Sequence, residues 1–289
     1  MGTSASSKGP AAGVPMVPPW VPPVPSNPSH DGDGAGPTNG DDQDGQSPDQ
    51  SVLQQPAQAQ PSPIAPTARF GGARLNLGKF GRSGDRQDMQ RGIREYVRKG
   101  YGGRATTVRR FGGTVSTAGT LYGALSDAAG GQAAAPGSPL DPAVLAGRSA
   151  REVMDAVVEA VRPSDGTQDA EASRAAIKDA LSELLTMFPE ADLLNLSEDQ
   201  RGFAIERFVA IDVYRRFQLD LGKTIQDKAP SATVGLARLK EVKNYIKETV
   251  AAAFRKVRAS GHKLTRGRVN EVVRAALGET FQVFEGYAL

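Results

Sequence analysis

The residue with the clearest chemical potential is Gly2, in a start that reads Met1-Gly2-Thr3-Ser4. A small second residue favours removal of Met1, which exposes a glycine α-amine with an ordinary pKa of about 7.7–8.0. That amine is unhindered and partly neutral near neutral pH, so it is a competent nucleophile for amide formation. The start also matches the myristoylation pattern, but only Lys8 accompanies it and a single acyl chain binds membranes marginally. The plain alternative is an ordinary tail with a common second residue.

Conventional catalytic and metal-binding residues are scarce in this chain. It has no cysteine and two histidines, His30 and His262, which excludes a disulfide scaffold and argues against a two-histidine zinc site or a catalytic triad. Three carboxylates, Glu206, Asp212 and Asp220, lie on one predicted helix, where we expect them to be solvated or paired with basic residues one turn away. The composition therefore predicts a protein that is not an enzyme and that uses no cofactor or metal.

Residues 1–67 are rich in proline, glycine and aspartate. They carry one lysine and six aspartates, a net charge of −5, and they hold the single tryptophan, Trp20, between prolines. Ordering such a segment costs roughly 1–2 kcal/mol per residue, and it offers little apolar surface to offset that cost. We therefore expect a disordered N-terminal tail, of which residues 26–67 have a reach on the order of 35 Å. This tail presents its first residues and Trp20 to a partner.

Positive charge is concentrated in the next segment. Residues 68–125 carry twelve Lys and Arg against three acids, a net +9, whereas residues 126–289 carry 22 basic and 23 acidic residues. One interpretation is a nucleic-acid-binding protein acting through residues 69–110, with arginines on phosphates and aromatic rings stacked on bases. The candidate rings are Phe70, Phe80, Tyr96, Tyr101 and Phe111. The alternative places these rings in the core and the arginines in solvent or against an acidic partner.

Helical periodicity accounts for the rest of the chain. In the basic, glycine-rich segment of residues 68–135 we expect one helix capped by Asp85 and stopped at Gly100, and another over residues 114–125. The body, residues 140–289, reads as five helices, with the longest at the centre because it is apolar on more than one side. Their predicted starts are marked by Ser149, Thr167, Ser197, Ser231 and Thr265. The fold class is all-α: a helical bundle preceded by a long disordered tail and the basic helical segment.

No apolar run approaches the roughly 20 residues that a membrane-spanning helix needs. The first residues also lack the continuous apolar stretch of a secretory signal, because prolines interrupt the sequence after Lys8. We therefore expect a cytoplasmic protein that does not interact with a membrane.

Three features resemble a bacterial family, QatB of the four-gene Qat anti-phage defence system. They are the start at residues 1–4, the proline-rich residues 18–22, and the central run from Gly81 through Gly100-Tyr101-Gly102-Gly103 to Val115. The resemblance implies a non-enzymatic protein that works beside an ATPase of the QatA type, a QueC-like enzyme of the QatC type and a TatD-like nuclease of the QatD type. A pure scaffold for the ATPase is a third possible function.

The same resemblance implies a chemistry for Gly2. QueC-like enzymes resemble the synthetase that makes a cyano-deazaguanine, and the implied reaction is ATP-dependent attachment of a deazaguanine to an N-terminal glycine. Mapped onto this chain, the modified residue is Gly2, with Thr3 and Ser4 in the recognised segment. We expect further partner contacts from the proline-rich and central segments, at Trp20, Arg82, Arg86, Tyr96, Arg98, Tyr101 and Arg104.

Overall fold

The computed structural model of the protein describes residues 67–130 and 137–286. All regular secondary structure within these ranges is helical, which confirms the predicted all-α class. The predicted disordered tail lies outside the described residues except for Thr67, and so does the predicted segment boundary near residue 135. None of the described helices is long and apolar enough to cross a membrane.

Eleven α-helices and two single turns of π-helix make up the described structure. The α-helices are α1 Gly71–Ser83, α2 Arg86–Glu95, α3 Arg104–Arg110, α4 Gly112–Ala129, α5 Pro142–Leu145, α6 Ala150–Val161, α7 Gln168–Met187, α8 Glu198–Phe217, α9 Lys223–Lys228, α10 Ala232–Ala259 and α11 Val269–Glu285. The π-turns are π1, Tyr96–Gly100, which continues α2, and π2, Gln218–Gly222, which joins α8 to α9.

Helix starts follow the predicted caps with one exception. Ser149 and Ser197 each form a capping box, and the side chain of Asp85 accepts a hydrogen bond from the amide of Gln87. The predicted cap at Thr265 is wrong, because α11 begins at Val269. The Thr265 carbonyl, and not its side chain, accepts the amide hydrogens that open this helix.

Helix α1 was not expected, because its glycines lower helix propensity by about 1 kcal/mol each relative to alanine. Tertiary packing explains why it forms. A Cβ atom at Gly81 would lie 2.8 Å from the carbonyl oxygen of Ile225, and one at Gly78 would touch Lys228. The missing side chains therefore let α1 pack closely against α9, and burial of Leu77 and Phe80 stabilises the contact.

Helix α8 lies at the centre of the body, as predicted, but it is not the longest helix, because it has 20 residues and α10 has 28. Phe208 and Ile211 on this helix are fully buried, and they belong to one hydrophobic core that also contains Phe80 from α1, Leu121 from α4 and Phe281 from α11. The basic segment and the body thus share a core, and α8 and π2 position the polar residues between them.

Candidate functional site

The predicted site residues fall into three groups in the structure. Gly2, Thr3, Ser4 and Trp20 lie outside the described residues. The side chains of Arg82, Arg86, Arg98 and Arg104 are exposed, whereas those of Tyr96 and Tyr101 are buried. The two tyrosines therefore cannot contact a partner through their side chains in this conformation, which corrects their assignment as contact residues.

Tyr96 and Tyr101 meet at a carboxylate where the two π-turns face each other. The hydroxyl of Tyr96 donates to Oδ2 of Asp220 at 2.9 Å, and the hydroxyl of Tyr101 donates to the same oxygen at 2.6 Å. In π1 the amide of Tyr101 bonds to the carbonyl of Tyr96, the i to i+5 pattern that puts both side chains on one side. Such turns occur frequently at functional sites, so the cluster of Tyr96, Tyr101 and Asp220 is a candidate for catalysis.

The electrostatics of this cluster favour positioning over catalysis. Burial, together with the carboxylate of Asp220, raises the pKa of both phenols, which therefore stay neutral donors. Burial also raises the pKa of Asp220, while the hydrogen bonds from the two tyrosines and the charges of Arg110 and Arg69 act in the opposite direction. A phenol with a raised pKa is a poor nucleophile or base, so the cluster is a structural connection between π1 and π2.

A second carboxylate, Asp212, is completely buried and connects three helices. It accepts hydrogen bonds from Thr114 of α4 at 2.5 Å and from Ser173 of α7 at 2.7 Å. It also pairs with Arg216, one turn along α8, at 3.3 Å. Burial alone would lower the pKa of Arg216, but Asp212 and Asp169 more than offset that effect, so its pKa is raised and it stays charged.

Glu206 completes the set of carboxylates that the sequence placed on α8. Its side chain is mostly buried and accepts a hydrogen bond from Arg258 of α10 at 2.5 Å. Burial raises the pKa of Glu206, and Arg258 opposes that shift. The expectation that these carboxylates are solvated or paired one turn away is thus wrong for Glu206 and Asp220, whereas Asp212 pairs with Arg216 one turn away as predicted. Each binds its own neighbours, and the described residues contain no acidic or histidine cluster that could hold a metal ion.

The aromatic residues proposed to stack on bases are all in the core. The rings of Phe70, Phe80, Tyr96, Tyr101 and Phe111 are at most 4% exposed. Tyr101 packs edge-on against Tyr96 and Phe70, and Phe111 packs against Phe281. Base stacking by these rings is therefore excluded, because their faces are covered by other side chains.

Three of the four exposed arginines of the predicted site lie at two places, and the fourth, Arg98, lies on π1. Arg104 lies beside α11, where its amide donates to Glu285 and its guanidinium donates to Gln282. Arg82 and Arg86 flank the turn between α1 and α2, which lies against α10. Within α10, Arg238 packs over the ring of Phe80 and against Gly84. Neither Arg238 nor Lys228 could be predicted from the sequence as a neighbour of this turn, since both are more than a hundred residues away.

Comparison with protein families identifies the chain. A family model described as QatB, Qat anti-phage system associated protein QatB, matches residues 102–284, which is more than half of the chain. The chain belongs to the QatB family. It is accordingly a component of an anti-phage defence system, and the resemblance seen in the sequence is confirmed. Comparison with curated proteins and with solved structures finds no match.

The QatB match covers α3 to α11 and leaves α1, α2 and π1 outside it. Arg104, Asp212 and Asp220 lie in the matched region. Of the central run that carried the sequence resemblance, the match includes the part from Gly102 onwards. The family assignment of this chain therefore rests on residues 102–284, which run from the start of α3 through almost all of α11.

Proposed function

We propose that this QatB-family protein is a non-catalytic subunit of the Qat system that offers its N-terminal glycine to a QueC-like enzyme for modification. The family match supports the defence role. The non-catalytic role is supported by the chemistry of α8 and π2, where the carboxylates are engaged by neighbouring donors and the phenols of Tyr96 and Tyr101 have raised pKa values. The acceptor of the modification is then a residue that lies away from this core.

Gly2 is that acceptor in the proposal. Its α-amine, exposed once Met1 is removed, attacks a deazaguanine carboxyl group that ATP has activated as an acyl adenylate with release of pyrophosphate. The amide C–N bond forms as the acyl–phosphate bond breaks, AMP leaves, and the amine loses a proton. The length and composition of residues 3–66 support delivery of Gly2 into the cleft of another protein, with a coil reach of roughly 45 Å. Thr3 and Ser4 form the segment that the enzyme recognises, and Trp20 supplies a further contact.

The other proposed partners are the QatA-type ATPase and the TatD-like nuclease. A helical body with a shared core is suited to hold such proteins while the tail reaches the QueC-like enzyme. Exposed Arg98 on π1 and Arg104 on α3 are the proposed contacts from the central segment. ATP-dependent modification also places the protein in the cytoplasm in this proposal.

The test is the intact mass and the N-terminal fragment spectrum of the chain, expressed alone and together with its neighbouring genes. We expect a mass addition on Gly2 only in the second sample. Gly2→Glu should abolish the addition and phage protection, because a large second residue blocks removal of Met1. Gly13→Glu is the matched control in the same tail and should retain both. An unmodified glycine in both samples would refute the proposal.

A further inference from the structure

Five basic side chains from four helices surround the turn between α1 and α2, and we name this surface the basic face. Its members are Lys79, Arg82, Arg86, Lys228 and Arg238. The glycines of α1 allow Lys228 to pack closely, because Cβ atoms at Gly78 and Gly81 would each lie 3.4 Å from its side chain.

The turn between α1 and α2 leaves space for the guanidinium of Arg238. Gly84 has a φ of 76°, in the left-handed region, and a Cβ atom there would collide with the guanidinium of Arg238. On the same side of α10, the guanidinium of Arg86 lies 5.9 Å from the centre of the Tyr245 ring. Arg86 and Arg238 are thus held in place by aromatic rings, while Lys79, Arg82 and Lys228 extend into solvent.

Little negative charge offsets this surface. Lys79, Arg82 and Lys228 form no ion pair with any acidic residue in the part of the chain that the structure describes. Arg238 lies 3.5 Å from Glu241. The carboxylate of Asp85 is used to cap α2. The basic face therefore retains a net positive charge that attracts an anionic partner.

The surface around the basic face favours a nucleic-acid partner over a protein partner. A protein interface has an apolar centre, whereas the large apolar side chains exposed in the described structure are scattered over several helices, with Leu75 on α1 and Leu236 on α10. A single-stranded nucleic acid would require exposed rings for stacking, and the rings of Phe80 and Tyr101 are buried. Exposed cations without acidic partners, such as Lys79, Arg82 and Lys228, match the phosphate backbone of a duplex, which carries about one charge per 1.7 Å.

We propose that the basic face binds duplex nucleic acid through its phosphate backbone, without reading base sequence. Arg82 and Arg86 present forked donors suited to phosphate oxygens, and Lys79 and Lys228 add point charges beside them. The partner is recognised by charge density and shape, so binding is sequence-independent and strongly dependent on salt.

The test is fluorescence anisotropy of the full chain with a labelled duplex of arbitrary sequence. Four phosphate contacts, one each from Lys79, Arg82, Arg86 and Lys228, predict a slope of log affinity against log salt of about −3.6, so affinity should fall on the order of 150-fold between about 50 and about 200 mM salt. Replacing Lys79, Arg82 and Lys228 by Gln removes three contacts. The slope should then be about −0.9, and the affinity should fall only about 3- to 4-fold over the same range of salt concentration.

A charge-matched control replaces Arg151, Lys263 and Arg274, exposed cations on other elements, by Gln. This control should retain the slope of the unaltered protein, and circular dichroism should show both triple variants folded. Equal slopes for the two triple variants, or no binding, would overturn the inference. So would stronger competition by a single strand of equal length or by poly-glutamate, which would assign the face to a stacking or a protein partner. Gly2→Glu should bind duplex normally, so this test stands apart from the proposed modification.

Discussion

The helices before residue 130 and those after residue 137 use charge in opposite ways. In the later region, cations pair with acids of neighbouring helices: Lys178 with Asp155, Arg215 with Asp179, and Lys247 with Glu183. In the earlier region, Arg91 and Lys99 pair within their own helical segment. Lys79, Arg82 and Arg109 form no ion pair among the described residues. Charge therefore helps to join the helices of the later region and stays available to partners in the earlier one.

Apart from the ion pair between Arg266 and Asp127, the earlier region is attached to the body by other contacts. Two are buried carboxylates on α8 and π2: Asp212 binds Thr114, and Asp220 binds Tyr96 and Tyr101. The third is the close packing of α1 at Gly81. These three joints hold a positively charged region onto a body with balanced charge, and each can be broken separately.

Loss of the Asp212 joint should have the largest effect. Asp212→Ala leaves Arg216 buried without its closest acceptor and removes the acceptor of Thr114 and Ser173, so the free energy of unfolding should fall by about 3–5 kcal/mol. Urea denaturation measures this change. Asp179→Ala, which breaks a partly exposed ion pair with Arg215, should cost less than about 1 kcal/mol. Similar losses for both variants would show that burial of Asp212 does not matter.

The glycine joint should come next. In Gly81→Ala, the new methyl group meets the backbone of Ile225 at 2.8 Å, so α1 and α9 must move apart and the free energy of unfolding should fall by about 1–3 kcal/mol. Gly123→Ala in α4 is the matched control. No atom lies near its Cβ position, and the substitution should stabilise the helix by about 0.5–1 kcal/mol. If packing holds α1 in place, thermal unfolding should show a lower melting temperature for Gly81→Ala and a higher one for Gly123→Ala.

The Asp220 joint should give the smallest effect and the clearest dependence on pH. Because burial raises the pKa of Asp220 in the folded state, the folded protein binds a proton before the unfolded chain does as pH falls. The stability contributed through Asp220 therefore rises as pH falls from neutral towards the unfolded value of about 3.9. Relative to Asp220→Asn, the unaltered protein should gain stability over this window, as urea denaturation at several pH values would reveal. A constant difference would contradict the raised pKa.

Local signals in the sequence predicted many of the helix starts. Ser149, Thr167 and Ser197 cap α6, α7 and α8 as expected, because a cap depends on a side chain and amides within three residues of it. The predicted cap at Thr265 is wrong, because the chain forms a turn after Thr265 before α11 begins. Helix α1 could not be predicted, because its glycines oppose helix formation locally and α9 compensates through contacts far along the chain.

The candidate site was predictable only in its exposed part. Arg82, Arg86, Arg98 and Arg104 lie on the surface as a polar pattern suggests. The sequence allowed Tyr96 and Tyr101 to lie either on the surface or in the core. They are buried in the structure, where the carboxylate of Asp220 accepts hydrogen bonds from both hydroxyls. Lys228 joins the basic face through its contact with α1, and that proximity has no signature in either segment.

The sequence by itself determined the helical class, the concentration of positive charge in residues 68–125 and the family of the chain. Each of these depends on composition, short-range periodicity or motifs of neighbouring residues. Only the tertiary structure decided which carboxylates are buried, that α1 is a helix, and which cations remain unpaired. These properties depend on atoms brought together from distant parts of the chain, where burial strengthens electrostatics and close packing can outweigh local propensity.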